Sequence, residues 1–288
     1  MTAEKVFLDY TQAELDDAYD QRMWAPNAAE VIARYATASA AARARLRYRA
    51  DLRYGPGAAE TLDLFPAAVA GGPVHVFVHG GAWRGGDKDS YSFPAETFVG
   101  AEAHYVALNF GQLPEARLPE LADQVRRAIA WVYRNAGRLG GDPERLYLSG
   151  HSSGAHLAAV ALTTDWPALG LPRAVIKAAL LAGGMYDLRA PLLSARSRYV
   201  QVTREEEDAL SPLRHVGRIR CPIALAHGER ESPEFRRQAA DFAAALGAAG
   251  LGPEVTVGPG LNHFELLETL GRPDGVLGRI ALRQMALA

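Results

Sequence analysis

The chain has 288 residues, 49% of them hydrophobic, enough to bury the core of one large domain without a linker or repeat to divide it. Its formal net charge of −2 offers no basic field to nucleic acid or an anionic membrane. No apolar run approaches the ~18 residues that span a bilayer, and the start of the chain lacks the basic-then-apolar pattern of a secretory leader, so a soluble cytoplasmic protein is expected.

Residues 9 to 45 carry helical spacing and no catalytic pattern; Thr11 followed by Glu14 is a capping box. This stretch reads as a helical N-terminal extension lying on the domain. Residues 47–54 and 60–65 alternate around Gly55-Pro56-Gly57, as two antiparallel edge strands would. Pro73 to Val78 is almost continuously apolar, the mark of a strand in a sheet covered on both faces, and it runs into His79-Gly80-Gly81-Ala82-Trp83. A Gly-Gly turn at the end of a central strand can aim backbone N–H groups into a cleft, which an oxyanion hole requires. Gly81 and Ala82 are the expected donors. A further strand over 103–110 is followed by an amphipathic helix carrying Leu118, Leu121, Val125, Ile129 and Val132 at steps of three and four.

Leu146-Tyr147-Leu148-Ser149-Gly150-His151-Ser152-Ser153-Gly154-Ala155-His156 then gives a short apolar run, Gly-x-Ser-x-Gly, and a helical start. The pentapeptide alone also occurs as a plain turn. Between a strand and a helix, however, it is the nucleophile elbow, in which strained backbone lifts the Ser152 hydroxyl clear of the sheet. Ser153 N–H, at the start of the following helix, is the third expected oxyanion donor. Strands over 174–182 and 221–226 enclose an irregular insert, 187–215, of the length of a small cap or mobile loop; its run Glu205-Glu206-Glu207-Asp208 reads as a solvated helix face. Cys221, the single cysteine, excludes an internal disulfide and reads as a strand residue. A helix over 233–249, a strand over 254–257 and a closing helix complete a mostly parallel sheet with helices on both faces.

A serine of ordinary hydroxyl pKa needs an imidazole to take its proton, and the order Ser, acid, His puts that base last. His263, in the loop after the final strand, fits; His215 falls in the insert and His227 ends a strand. The orienting acid belongs on the loop after the preceding strand, where Glu229, Glu231 and Glu234 compete. Glu231, just before the Ser232-Pro233 helix start, is expected, with Glu229 the alternative. Trp83, Tyr186 and Phe264 adjoin strand-end loops and are expected to wall the substrate site. No cluster of His, Asp and Glu has metal-ligand spacing, and no cofactor is implied.

HGGAW, GHSSGAHLAA, GERESPEFRRQ and NHFELLE together resemble the kynurenine formamidase (arylformamidase) branch of the α/β-hydrolases, and the likeness runs over most of residues 10 to 270. The resemblance implies a single α/β-hydrolase domain and a small N-formyl aryl amide such as N-formylkynurenine as substrate, cleaved through an acyl-enzyme. Related sequences of this type include carboxylesterases for small acyl esters, and a non-catalytic binding protein on the same fold is the reading from another class. A homodimer is left open. The sequence departs from the family pattern at Glu231, where aspartate is usual, and at Ser153, often alanine.

Overall fold

The computed structural model describes residues 4–288. A hairpin, β1 (Lys5–Phe7) and β2 (Tyr10–Thr11), leads into α1 (Gln12–Ala18), a 3-10 turn at Gln21–Trp24 and α2 (Ala28–Arg45). Thr11 and Glu14 close the capping box on α1, Glu14 accepting the Thr11 N–H at 2.7 Å while Thr11 Oγ1 accepts the Glu14 N–H at 3.4 Å.

The domain then lays down β3 (Arg49–Arg53), β4 (Thr61–Phe65), β5 (Gly72–Val78), α3 (Ala95–Gly100), β6 (His104–Leu108), α4 (Leu118–Asn135), β7 (Gly141–His151), α5 (Ser153–Leu162) and β8 (Ala179–Ala182). Residues 187–215, expected to be irregular, are instead mostly short helices: α6 (Arg189–Leu193), a 3-10 turn at Ala195–Arg198, α7 (Arg204–Ala209) and the start of a 3-10 stretch at Pro212–Arg218; β9 (Ile223–Gly228), α8 (Pro233–Ala248), β10 (Glu254–Gly258), α9 (His263–Glu268) and α10 (Val276–Gln284) close the chain. Eight strands form one sheet in the order β10-β9-β8-β7-β5-β6-β4-β3. The pairs from β10 through β6 are parallel, and β4 and β3 add an antiparallel edge. The strand expected over 174–182 is shorter than its apolar run. Lys177 N–H and Ala178 C=O still bond to Leu146 C=O and Leu148 N–H, but regular pairing begins at Ala179.

Burial on both faces explains the apolar strands. In β5, Val74, Val76 and Val78 enter one core cluster with α4, α5 and α8, while Phe77 enters the other with α2, α3, α9 and α10. That alternation is the period of two that a pleated strand imposes. The same arrangement carries β5, β7, β8, β9 and β10 to a common carboxyl edge, where ligands bind in open α/β sheets.

Candidate active site

At the end of β7 the chain reverses into α5, and Ser152 holds the reversal with φ 57° and ψ −125°, a conformation that costs a non-glycine residue about 1–3 kcal/mol. The motif glycine at 154 is a steric necessity: a Cβ there would lie 2.1 Å from Val78 O and 2.3 Å from His79 O. So α5 meets the end of β5 in direct backbone contact, and the two glycine loops become neighbours. Ser152 is 7% exposed, and its hydroxyl is free of protein hydrogen bonds among the described residues.

The loop after β5 is strained over three consecutive residues, with φ of 119° at Gly81, 55° at Ala82 and 61° at Trp83. A side chain at 81 would collide with Gly85 O at 2.0 Å. Trp83 N–H donates to Ser153 Oγ at 3.1 Å, fastening this loop to the first turn of α5. The Gly81, Ala82 and Ser153 N–H groups take no partner within the described residues, so donors remain open beside Ser152. Ser153 thus has a use that alanine would not have: its hydroxyl holds the donor loop against the elbow.

His263 opens α9, 2% exposed, and its Nδ1 lies 3.2 Å from Glu231 Oε2, with both atoms buried. The pair is in contact but off the line of a hydrogen bond, and each of the two atoms lacks another partner among the described residues. Apo catalytic pairs often have this looser geometry. The other carboxylate oxygen of Glu231 accepts Gly228 N–H at 3.0 Å. Glu229 points elsewhere, accepting Gly260 N–H at 2.6 Å, and Glu234 is engaged by Tyr19 and Arg237. Of the three competing glutamates, Glu231 is the one placed against His263. Gly183, at the end of β8, lies directly beside the pair; a Cβ there would be 2.8 Å from His263 Nδ1 and 2.9 Å from Glu231 Oε1.

The expected aromatic walls do not form as the sequence reading has them. Tyr186 is fully buried, stacked on Phe242 with ring centroids 4.3 Å apart, and has no face toward a cleft. Trp83 is 1% exposed, edge-on to His156, with its indole N–H donating to His156 Nδ1 at 3.3 Å. Adjacency to a loop does not carry either ring to the surface: each side chain turns down into the core. Phe264 alone stays half-buried, edge-on to His263 with centroids 5.2 Å apart.

Two histidines of the GHSSGAH stretch have positions the sequence reading missed. His151 Nε2–H donates to the His263 carbonyl at 2.9 Å, and its ring lies against that of His263 with centroids 4.4 Å apart. Burial, and then the neighbouring His263, hold the His151 imidazole well below its ordinary pKa, which keeps it neutral. His156 takes Trp83 on Nδ1 and gives Nε2–H to Leu210 O at 2.8 Å, joining the donor loop to the 187–215 segment. Burial lowers its pKa to about 4, consistent with a ring that must donate on one nitrogen and accept on the other. Their signal in the sequence was polar type in an otherwise apolar helix and strand end.

Comparison with known proteins places this architecture. The BD-FAE family model matches residues 62–168. Over 94% of this chain and 96% of the relative, the sequence is 32% identical to the kynurenine formamidase of Danio rerio. The chain belongs to the kynurenine formamidase branch of the α/β-hydrolases. A second relative of this α/β-hydrolase, esterase LipQ of Mycobacterium tuberculosis, is 36% identical over 225 residues, which are 69% of this chain and 53% of that protein. Among solved structures, a Silicibacter protein described as a thioesterase matches with a TM-score of 0.82 and 28% identity, covering 93% of this chain and 98% of its own. As a member of this branch, the α/β-hydrolase is an enzyme of the formamidase and carboxylesterase type. No helix among its described residues is long and apolar enough to cross a membrane.

Proposed function

We propose that the enzyme cleaves a small N-formyl aryl amide, of the N-formylkynurenine type, through a Ser152-His263-Glu231 triad. The observation that carries this reading is the buried Glu231–His263 contact of 3.2 Å on the loops facing a strained elbow serine, in a chain alignable almost end to end with a kynurenine formamidase. His263 takes the Ser152 proton as the hydroxyl attacks the formyl carbon. The tetrahedral oxyanion is held by the N–H groups of Gly81, Ala82 and Ser153, and His263 returns the proton to the departing arylamine. Water, deprotonated by His263, then releases formate from the formyl-enzyme. Glu231 orients the imidazole and stabilises its charged form. The likeness to esterase LipQ supports small acyl esters as the second reading. Steady-state kinetics on N-formylkynurenine, p-nitrophenyl acetate and p-nitrophenyl butyrate separate the two. The formamidase reading expects the highest kcat/KM on N-formylkynurenine, with butyrate poorest; the ester reading is favoured if acetate or butyrate exceeds it.

A further inference from the structure

The residue after Glu231 and the residue before His263 are both held by one segment of the N-terminal extension. Gln21 is 5% exposed and Ser232 wholly buried; Gln21 Nε2–H donates to Ser232 Oγ at 2.7 Å, and Gln21 Oε1 accepts Ser232 N–H at 3.3 Å. Ser232 Oγ–H in turn donates to Ala18 O at 2.6 Å, so the acid loop ends in a three-bond attachment to residues 18–21. Six residues on, Asn27 occupies the N-cap position of α2, where an Asn side chain ordinarily accepts an N–H of its own helix. It makes no such bond. Its Oδ1 instead accepts Asn262 Nδ2–H at 2.8 Å and its Nδ2–H donates to Glu265 Oε1 at 2.7 Å. Asn262 and Glu265 are themselves the two halves of the capping box that opens α9 and starts it at His263.

The acid loop and the base loop follow the neighbouring strands β9 and β10 and are tied backbone to backbone by Arg230 N–H to Leu261 O at 3.0 Å, and the N-terminal segment adds a side-chain hold on the next residue of each loop, Ser232 and Asn262. From these contacts we infer that Gln21 and Asn27 are positioning residues, holding Ser232 and Asn262 from one short segment and thereby setting where Glu231 meets His263. The inference rests on the triad reading above. The diverted cap is its second support, because α2 forgoes a side-chain cap worth about 1 kcal/mol to make this attachment. The Glu231–His263 contact, 3.2 Å and out of line, is the kind of pair a small displacement at either loop would open or close. Displacements on the order of 1 Å remote from the chemistry can cost about 100-fold in rate.

The test uses Gln21→Leu and Asn27→Ala in the full chain, with Arg34→Ala as the control. Arg34 lies on α2 and pairs with Glu268 of α9 at 2.7 Å, so its loss cuts a tie between the same two helices without touching Ser232 or Asn262. With N-formylkynurenine or p-nitrophenyl acetate as substrate, Gln21→Leu and Asn27→Ala should each lower kcat by about tenfold or more with KM within about twofold, while Arg34→Ala leaves both unchanged. With a phosphonate adduct on Ser152, where a loose apo pair tightens, the low-field proton resonance of His263 Nδ1–H on Glu231 should weaken in the first two variants and persist in the third. Asn27 is only half-buried, so Asn27→Ala decides the matter if Gln21→Leu does not fold. An unchanged kcat in Asn27→Ala, or an equal loss in Arg34→Ala, overturns the positioning role. Ser152→Ala measured alongside separates the two levels: activity surviving there removes the triad reading itself. An inactive Ser152→Ala with fully active Gln21→Leu and Asn27→Ala removes only the inference.

Discussion

The two sides of the cleft are built by different means. On one side, the donor loop and the elbow are shaped by backbone: positive φ at Gly81, Ala82, Trp83 and Ser152, and a helix start packed onto carbonyl oxygens where Gly154 has no side chain. On the other side, Glu231 and His263 sit in ordinary backbone on loops joined by Arg230 N–H to Leu261 O, and side-chain hydrogen bonds, several from residues more than 200 positions earlier, fasten the residues next to them. Backbone strain fixes the Ser152 turn rigidly but has a cost in stability, whereas a hydrogen-bonded frame can be trimmed without strain. The difference teaches where each kind of substitution should act: steric changes should break the first side, and loss of single polar atoms the second.

The largest effect is expected at Ser152. Ser152→Ala should lower kcat by about 10⁴-fold or more, leaving only what the donor loop and binding supply. Ser152→Gly should be equally inactive yet raise stability by about 1 kcal/mol, because glycine accepts a conformation that strains serine; a thermal melt that falls would show that the elbow stores no strain. Next is the acid. Glu231→Gln should reduce kcat by roughly 10³- to 10⁴-fold through loss of the charge that orients and stabilises the imidazole, whereas Glu229→Gln, bound to Gly260 N–H on the surface side, should stay within about twofold. Reversed values would move the acid to Glu229. A smaller effect belongs to Ser153→Ala, which leaves Trp83 N–H without its acceptor: a loss of about 1 kcal/mol in stability and a several-fold fall in kcat are expected. The smallest is Tyr186→Phe. Its buried hydroxyl lies against Gly184 with no well-formed hydrogen bond among the described residues, so removal should leave kinetics unchanged and stability within about 1 kcal/mol. A selective rise in KM for aryl substrates would return Tyr186 to the substrate wall.

The same contrast explains what could be read in the sequence. The backbone-built side was legible because glycine is required where φ is positive or where chains touch, and those glycines stand beside strands whose apolar runs are plain: Gly80-Gly81 after β5, Gly150 and Gly154 around Ser152. The parallel sheet followed from strands and helices alternating. On the side built by side chains, chain order points to His263 and the place before the Ser232-Pro233 helix start to Glu231, and the fold brings these two into contact at 3.2 Å. What holds them was not legible, because Gln21, Asn27 and His151 have no local pattern that reveals a partner brought close only by folding. The aromatic walls failed for a related reason. Adjacency in sequence says which loop carries a ring, and only packing decides whether Trp83 and Tyr186 turn toward solvent or into the core.

The central claim, that Ser152 is the nucleophile on which hydrolysis turns, is tested most directly by titrating the enzyme with a fluorophosphonate and locating the adduct by peptide mass spectrometry. One adduct per chain on Ser152, with activity on N-formylkynurenine and on p-nitrophenyl acetate lost in proportion to labelling and no adduct in Ser152→Ala, is the expected result. Full activity after complete labelling, or labelling at another residue that tracks the loss, would contradict it.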